Sequence, residues 1–315
     1  MWIVWCVIAL ILAYIVLILA PAFFMFHDVY GHQTYKRLDE KSARGSSYEP
    51  FIPRIEEAAA WFYGLMPQEV YANAKDGSKL SGLYVPGKST RVALLVHGYR
   101  AEPVKQFGIL AKELYSKDYG ILIIRQRAHD ISGGRYTGMG ILECEDIHTW
   151  VDFIKSNCEF QPRVLIYGMS MGAATTAFSL EKLDAEIVKC AVMDCGFRSP
   201  EEQMRTDARK WHIPSPLLMP IIKRLAKWRI GVDLSRSTSE SLSKSAVPAM
   251  IIHGTGDRSV PIEIGRYNYE VCACPKQCIF VEGADHILSF MTMLSEEGQQ
   301  LDTFWSFVSG YMEDK

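Results

Sequence analysis

The stretch Val164-Leu165-Ile166-Tyr167-Gly168-Met169-Ser170-Met171-Gly172-Ala173-Ala174 decides how the chain is read. Its first four residues are apolar without alternation, which predicts a strand over 164–167 buried on both faces. The run 171–183 has helical spacing and predicts a helix. Only Gly168 to Gly172 remain to turn the chain between them. A Gly-x-Ser-x-Gly turn in that setting holds its serine in a strained backbone conformation, and flanking glycines avoid the clashes. Ser170 Oγ is then exposed at the top of the sheet, and the following helix N-terminus faces any negative charge that develops there. The alternative is a tight turn with an idle serine, which the strand and helix on either side disfavour.

On either side of this stretch, short runs rich in Val, Ile and Leu recur at 92–96, 121–124, 191–193, 250–252 and 278–281, with amphipathic stretches at 104–117, 143–157, 262–271 and 298–312 between and after them. Alternating strands and helices imply a parallel sheet covered on both faces. Ahead of them, 69–74 and 80–85 flank Lys75-Asp76-Gly77-Ser78, an Asp-Gly hairpin signal, and 54–64 has helical spacing. One mixed-sheet domain over 69–315 follows. Residues 196–247 break the alternation: they hold helical patches and the turn Ile213-Pro214-Ser215-Pro216 but no convincing strand, and read as an inserted cap over the carboxyl edge of the sheet. Within them, 217–230 is apolar with Lys223, Arg224, Lys227 and Arg229 interleaved. A cap helix with a solvated basic face is the first reading and a helix lying on a membrane surface the second.

A serine hydroxyl is a weak nucleophile that needs a base, and the base needs an orienting acid. Ile251-Ile252-His253-Gly254-Thr255-Gly256-Asp257 places Asp257 in the loop after one strand, and Glu282-Gly283-Ala284-Asp285-His286 places His286 after the next. His286 is the candidate base and Asp257 the candidate acid, in the chain order serine, acid, histidine. Asp194, at the end of the 191–193 strand, is the rival acid; Asp285 adjoins His286 too closely to orient it. Leu95-Val96-His97-Gly98-Tyr99 ends the first parallel strand, where the backbone N–H groups of Tyr99 and Met171 would hold an oxyanion. His97 reads as a brace for that loop. His253 begins a turn, and His27, His32, His148 and His212 read as surface or packing residues.

These motifs fall in one order: the Asp76-Gly77 hairpin, His97-Gly98, Gly168 to Gly172, His253 to Asp257, and Asp285-His286. Arg127-Ala128-His129-Asp130-Ile131-Ser132-Gly133-Gly134 joins them after the second parallel strand. From about residue 70 onward the chain resembles the α/β-hydrolases, particularly the membrane-anchored Bem46-like proteins and bacterial relatives with serine-aminopeptidase-like domains. The resemblance implies an α/β-hydrolase fold with an inserted helical cap, and a triad of Ser170, Asp257 and His286. Two positions depart from the family pattern: Asp130 stands where Gly is usual, and Arg125 where Asp is usual.

Residues 2–26 carry no charge among them, and 2–20 are almost wholly aliphatic or aromatic. About 20 such residues span a bilayer as a helix, so 1–26 reads as a transmembrane anchor with Trp2, Trp5, Phe23, Phe24 and Phe26 at its edges. Ala20-Pro21-Ala22 would suit a cleaved signal peptide, but the run is long for one and no Lys or Arg precedes it; a buried helix is the third reading. Residues 27–50, with Arg44-Gly45-Ser46-Ser47, read as a juxtamembrane linker, and 27–68 as linker and helix. Lys36, Arg37, Lys41 and Arg44 follow the span without settling which side the body faces.

Composition bounds the rest. With 34 Lys+Arg against 36 Asp+Glu the chain has no general attraction for nucleic acid. Eight cysteines, one of them in the span, leave an odd number for the body. Cys272, Cys274 and Cys278 read as free or partly paired thiols before a metal cluster, since no second Cys/His pair has zinc-ribbon spacing.

The expectation is a serine hydrolase acting on a carboxylic ester or thioester through an acyl-enzyme, without metal or organic cofactor. The anchor, with Leu217, Leu218, Ile221 and Ile222 in the cap, points to acyl or lipid-like substrates. A peptidase is the alternative within the class; Glu201 or Glu202 would then hold the substrate's amine. A non-catalytic, membrane-anchored binding scaffold is the alternative outside it.

Overall fold

A computed structural model describes residues 1–313. Among the described residues eight strands form one sheet: β1 (Gln68–Asn73), β2 (Lys79–Val85), β3 (Arg91–Val96), β4 (Gly120–Arg125), β5 (Arg163–Met169), β6 (Val188–Asp194), β7 (Ala249–Gly254) and β8 (Lys276–Val281). Their order is β1-β2-β4-β3-β5-β6-β7-β8. β2 runs antiparallel to both β1 and β4, and every other neighbouring pair is parallel. The six apolar runs expected as parallel strands all lie inside β3–β8, and the expected hairpin is β1–β2.

Side-chain alternation divides the core into two layers. Ala93, Leu95, Ile121, Ile123, Leu165 and Tyr167 face one side, under the helices Ile52–Gly64, Pro103–Ser116 and Gln299–Met312. Val92, Leu94, Leu122, Ile124, Val164 and Ile166 face the other, under Glu143–Asn157 and Met171–Ser179. Both faces being covered is why these strands read as continuous apolar runs. The chain steps from β3 to β4 on one side and then to β5 on the other. Loops leaving the carboxyl ends of β3 and β5 therefore diverge and open a crevice between them, where ligands of open α/β sheets bind.

The helix expectations hold with small shifts: 104–117 is Pro103–Ser116, 298–312 is Gln299–Met312, and 171–183 is an α-helix to Ser179 followed by a 3-10 turn Leu180–Lys182. Residues 196–247 form the helices Pro200–Lys210, Ser215–Ile230 and Ser239–Leu242 with no strand among them. Ser289–Glu296 is a helix that the sequence reading missed, because it is short and follows a loop without a break in hydropathy.

At the N-terminus one continuous helix, Trp2–Tyr30, is long and apolar enough to cross a membrane. Its most apolar stretch is bare of protein, whereas Ala22, Phe26 and Tyr30 are fully buried against Met139, Phe178 and the cap residues Met204 and Ile222. Spacing of four residues puts those three on one face. The segment read as a juxtamembrane linker is packed against the body. Gln33 bridges to His129 and Lys36 N–H donates to the Arg100 carbonyl at 2.7 Å. Asp39 and Ser42 form a capping box on a short helix, Glu40–Ala43. Polar residues satisfied in this way give a stretch fixed structure without an apolar pattern to announce it.

Candidate active site

Ser170 sits between β5 and Met171–Ser179 with φ 55° and ψ −116°. A β-carbon on Gly168 would lie 2.2 Å from the Gly172 carbonyl oxygen, and one on Gly172 only 1.8 Å from that of Val96. Both positions therefore require glycine for the turn to close. Ser170 N–H donates to the Asp194 carbonyl at 2.9 Å, tying the turn to β6.

The loops after β7 and β8 bring Asp257 and His286 to the same point. His286 Nε2 lies 2.8 Å from Ser170 Oγ, and His286 Nδ1 lies 2.7 Å from Asp257 Oδ2. The Asp257 side chain is fully buried, and its Oδ1 accepts the N–H groups of Ser259 and Val260 at 2.7 and 2.8 Å. Burial opposes its ionisation, but hydrogen bonds from His253 and His286 and the Val260 N–H outweigh that and hold it well below the usual carboxylate range. The acceptor-only carboxylate leaves Nδ1 of His286 as the donor and frees Nε2 to accept from the serine.

Asp194 does not reach His286. Its carboxylate accepts the Tyr167 hydroxyl at 3.1 Å inside the sheet, and burial raises its pKa to about 6. Asp285 braces the loop: it accepts N–H from His286 and Arg258, and the Ser47 hydroxyl. The Tyr48 hydroxyl adds a bond to the His286 carbonyl at 2.9 Å. His253 is buried, donating to the Val260 carbonyl at 2.9 Å with Asp257 3.4 Å away.

His97 braces the loop after β3. Its Nε2 accepts Gln126 N–H at 3.0 Å, so Nδ1–H donates to the Gly98 carbonyl at 2.6 Å, and burial lowers its pKa to about 3. Gln106 Oε1 accepts Gly98 N–H at 2.8 Å. The amides of Tyr99 and Met171 have no protein acceptor among the described residues. The two departures, at the end of β4 and in the loop after it, pair with each other: Arg125 lies 3.6 Å from Asp130 and 2.5 Å from Glu69. Arg127 anchors that loop by a two-pronged contact to buried Asp146, each bond 2.6 Å, and by a third bond to Asp76 at 2.7 Å.

A cavity of about 450 Å³ opens beside Ser170 and His286. Its apolar wall is Leu38, Ala43, Tyr48, Ile55, Ile287 and Met291. The packed N-terminal segment and the unanticipated helix supply much of this wall; the cap does not. Leu218 and Ile222 are buried against the N-terminal helix, and Leu217 is exposed. Glu201 pairs with Arg205 and Lys223, and Glu202 with Arg198, in a separate hollow. Only the fold brings residues 38–55 here, so no motif marked them.

Cys195 Sγ, one Asp257 oxygen and one His286 nitrogen lie within 4.8 Å of one another, close enough to ligate a metal. Burial, with Asp194 and Asp257 nearby, pushes the Cys195 thiol well above its ordinary pKa and keeps it protonated, a poor ligand. Cys272 and Cys274 bring their sulfurs to 3.1 Å, while Cys278 forms no metal-ligating group with them among the described residues.

No protein-family model matches the chain. The protein YqkD of Bacillus subtilis is 25% identical over 217 residues, covering 68% of this chain and 71% of its own. An esterase of Pyrococcus furiosus, Pf2001, superposes with a TM-score of 0.66 at 22% identity, over 80% of this chain and 94% of its own. The acylaminoacyl peptidase of Pyrococcus horikoshii gives 0.58 at 17% identity, over 79% of this chain and 42% of its own. The sheet order, the flanking helices and these likenesses together establish one fold.

Proposed function

We propose that this chain, an α/β-hydrolase by fold, is a membrane-anchored serine hydrolase of carboxylic esters or thioesters. The observation that carries the reading is the unbroken chain of hydrogen bonds Asp257–His286–Ser170, ending on a strained serine at the mouth of the cavity. As Ser170 Oγ bonds to the substrate carbonyl carbon, its proton passes to His286 Nε2. The carbonyl electron pair moves onto oxygen, facing the Tyr99 and Met171 N–H groups, and Asp257 stabilises the imidazolium. Collapse breaks the bond to the leaving group, which takes the proton from His286. Water then attacks the acyl-serine, giving His286 a proton that returns to Oγ as the acid departs.

Esters and thioesters suit the cavity better than peptides. The acids that would hold a peptide's amine, Glu201 and Glu202, are already paired with basic side chains outside it. Apolar residues beside Ser170 support an acyl chain. The anchor is supported by the bare N-terminal part of Trp2–Tyr30. Cleavage at Ala20-Pro21-Ala22 would fall inside a continuous helix where Ala22 is buried, which disfavours a removed signal.

The test is fluorophosphonate labelling of the full chain in detergent, wild type beside Ser170→Ala. Labelling of the wild type alone is expected; a folded wild type that stays unlabelled overturns the reading.

A further inference from the structure

We infer that the cavity beside Ser170 takes acyl esters or thioesters bearing a negatively charged phosphate group, and that Arg100 selects them; this rests on the hydrolase reading above. The cavity wall carries four basic side chains, Lys36, Arg37, Arg100 and Lys105, against one acid, Glu102. Glu102 is already occupied: its carboxylate accepts the N–H groups of Val104 and Lys105 as a helix cap. Arg37 is paired with Asp39, and Lys105 reaches the Leu38 carbonyl at 2.5 Å and Glu56 at 3.8 Å. Arg100 and Lys36 have no carboxylate partner among the described residues.

Arg100 is the more informative of the two. It follows Tyr99, the proposed oxyanion donor, directly. It is half-buried, and its Nε is shut off from solvent without a hydrogen-bond partner. Leaving a charged group's donor buried and unmade is costly, so such atoms call for an explanation. Its backbone has φ 56°, a conformation unfavourable for any residue with a β-carbon, and its carbonyl is held by Lys36 N–H. Strain, a buried unpaired donor and the adjacent chemistry coincide on one residue. A guanidinium offers two parallel donors to phosphate oxygens, and the low dielectric of a half-buried site strengthens that contact. The apolar wall opposite would take the acyl chain.

Two sources of phosphate fit this chemistry, a lipid headgroup and a soluble acyl carrier, and matched pairs separate them. One pair is hexanoyl-coenzyme A against the hexanoyl thioester of N-acetylcysteamine. The other is dihexanoylphosphatidylglycerol against dihexanoylglycerol. The readout is the ratio of kcat/KM, anionic over neutral, within each protein, so any general loss of activity divides out. Wild type is expected to prefer the anionic member of at least one pair by about tenfold or more, the factor a charge-assisted hydrogen bond carries. Arg100→Gln should bring that ratio below about threefold, Arg100→Lys should keep most of it, and added salt should lower it in wild type. The pair that shows the preference identifies the source. Lys36→Gln, on an exposed side chain, gives a second reading if Arg100→Gln folds poorly. Equal rates within both pairs, or a ratio that neither variant moves, overturn the inference. A wild type that fluorophosphonate labels but that hydrolyses none of the four overturns this substrate class alone; one that is not labelled overturns the hydrolase reading itself.

Discussion

Replacing Asp257 by Asn tests which acid orients His286, and the structure sets the size of the effect. Asp257 Oδ1 accepts two backbone N–H groups, from Ser259 and Val260, while Oδ2 faces His286 Nδ1. An asparagine keeps the first two bonds only by turning its carbonyl oxygen toward them. Its NH₂ then points at Nδ1. The reverse orientation would set that NH₂ against two N–H donors and forfeit both bonds, at about 1–3 kcal/mol for each unsatisfied group. With an amide donor facing it, Nδ1 must accept, so the proton moves to Nε2 and faces Ser170. The imidazole can no longer take the serine proton. A wrong tautomer of this kind lowers kcat by roughly 10⁴-fold, or about 5.4 kcal/mol in the barrier. Hydrolysis of 4-nitrophenyl butyrate by the full chain in detergent, with thermal unfolding as the folding control, measures it. Asp194→Asn, whose carboxylate bonds Tyr167 and not His286, should lose less than about tenfold, because it leaves the tautomer untouched. A loss below about tenfold for Asp257→Asn, or a larger one for Asp194→Asn, would refute the assignment.

Two further outcomes follow from burial. Asp194 has its folded pKa raised to about 6 by burial, above its ordinary 3.8. The native state therefore keeps a proton that the unfolded chain loses first, so stability falls as pH rises from about 4 to 6, by about 2–3 kcal/mol in all. Asp194→Asn should accordingly gain on wild type across that window in denaturant titrations; a pH-independent difference would remove the explanation. Deleting residues 1–17 removes only exposed helix, and should leave the thermal midpoint within about 2 °C while making the protein soluble without detergent. Deleting residues 1–31 also removes fully buried Phe26 and Tyr30, and should cost at least about 3 kcal/mol; equal stability of the two truncations would show that this helix end does not belong to the core.

Most of the sheet was legible because a strand buried on both faces must be apolar throughout, and 92–96, 121–124 and 164–167 carry that mark locally. The turn at Ser170 was legible because its backbone forces glycine at 168 and 172. The linker and the cavity wall were not. Residues 33–48 are held by individual bonds, such as Gln33 N–H to the Ala128 carbonyl and Lys36 N–H to the Arg100 carbonyl, whose partners lie far away in sequence. Leu38, Ile55, Ile287 and Met291 are ordinary apolar residues until they meet around one serine. Arg125 and Asp130, each a departure when read alone, proved to be partners.

Sequence by itself determined the class of fold, the order of its parts and the candidates for nucleophile, base and acid, since these depend on periodicity, turn chemistry and residue type. Tertiary structure alone decided that Asp257 rather than Asp194 faces His286, that the N-terminal segment rather than the cap lines the cavity, and that Arg100 stands there without a carboxylate partner. Those are matters of which distant groups meet, and distance across a fold leaves no trace in local sequence.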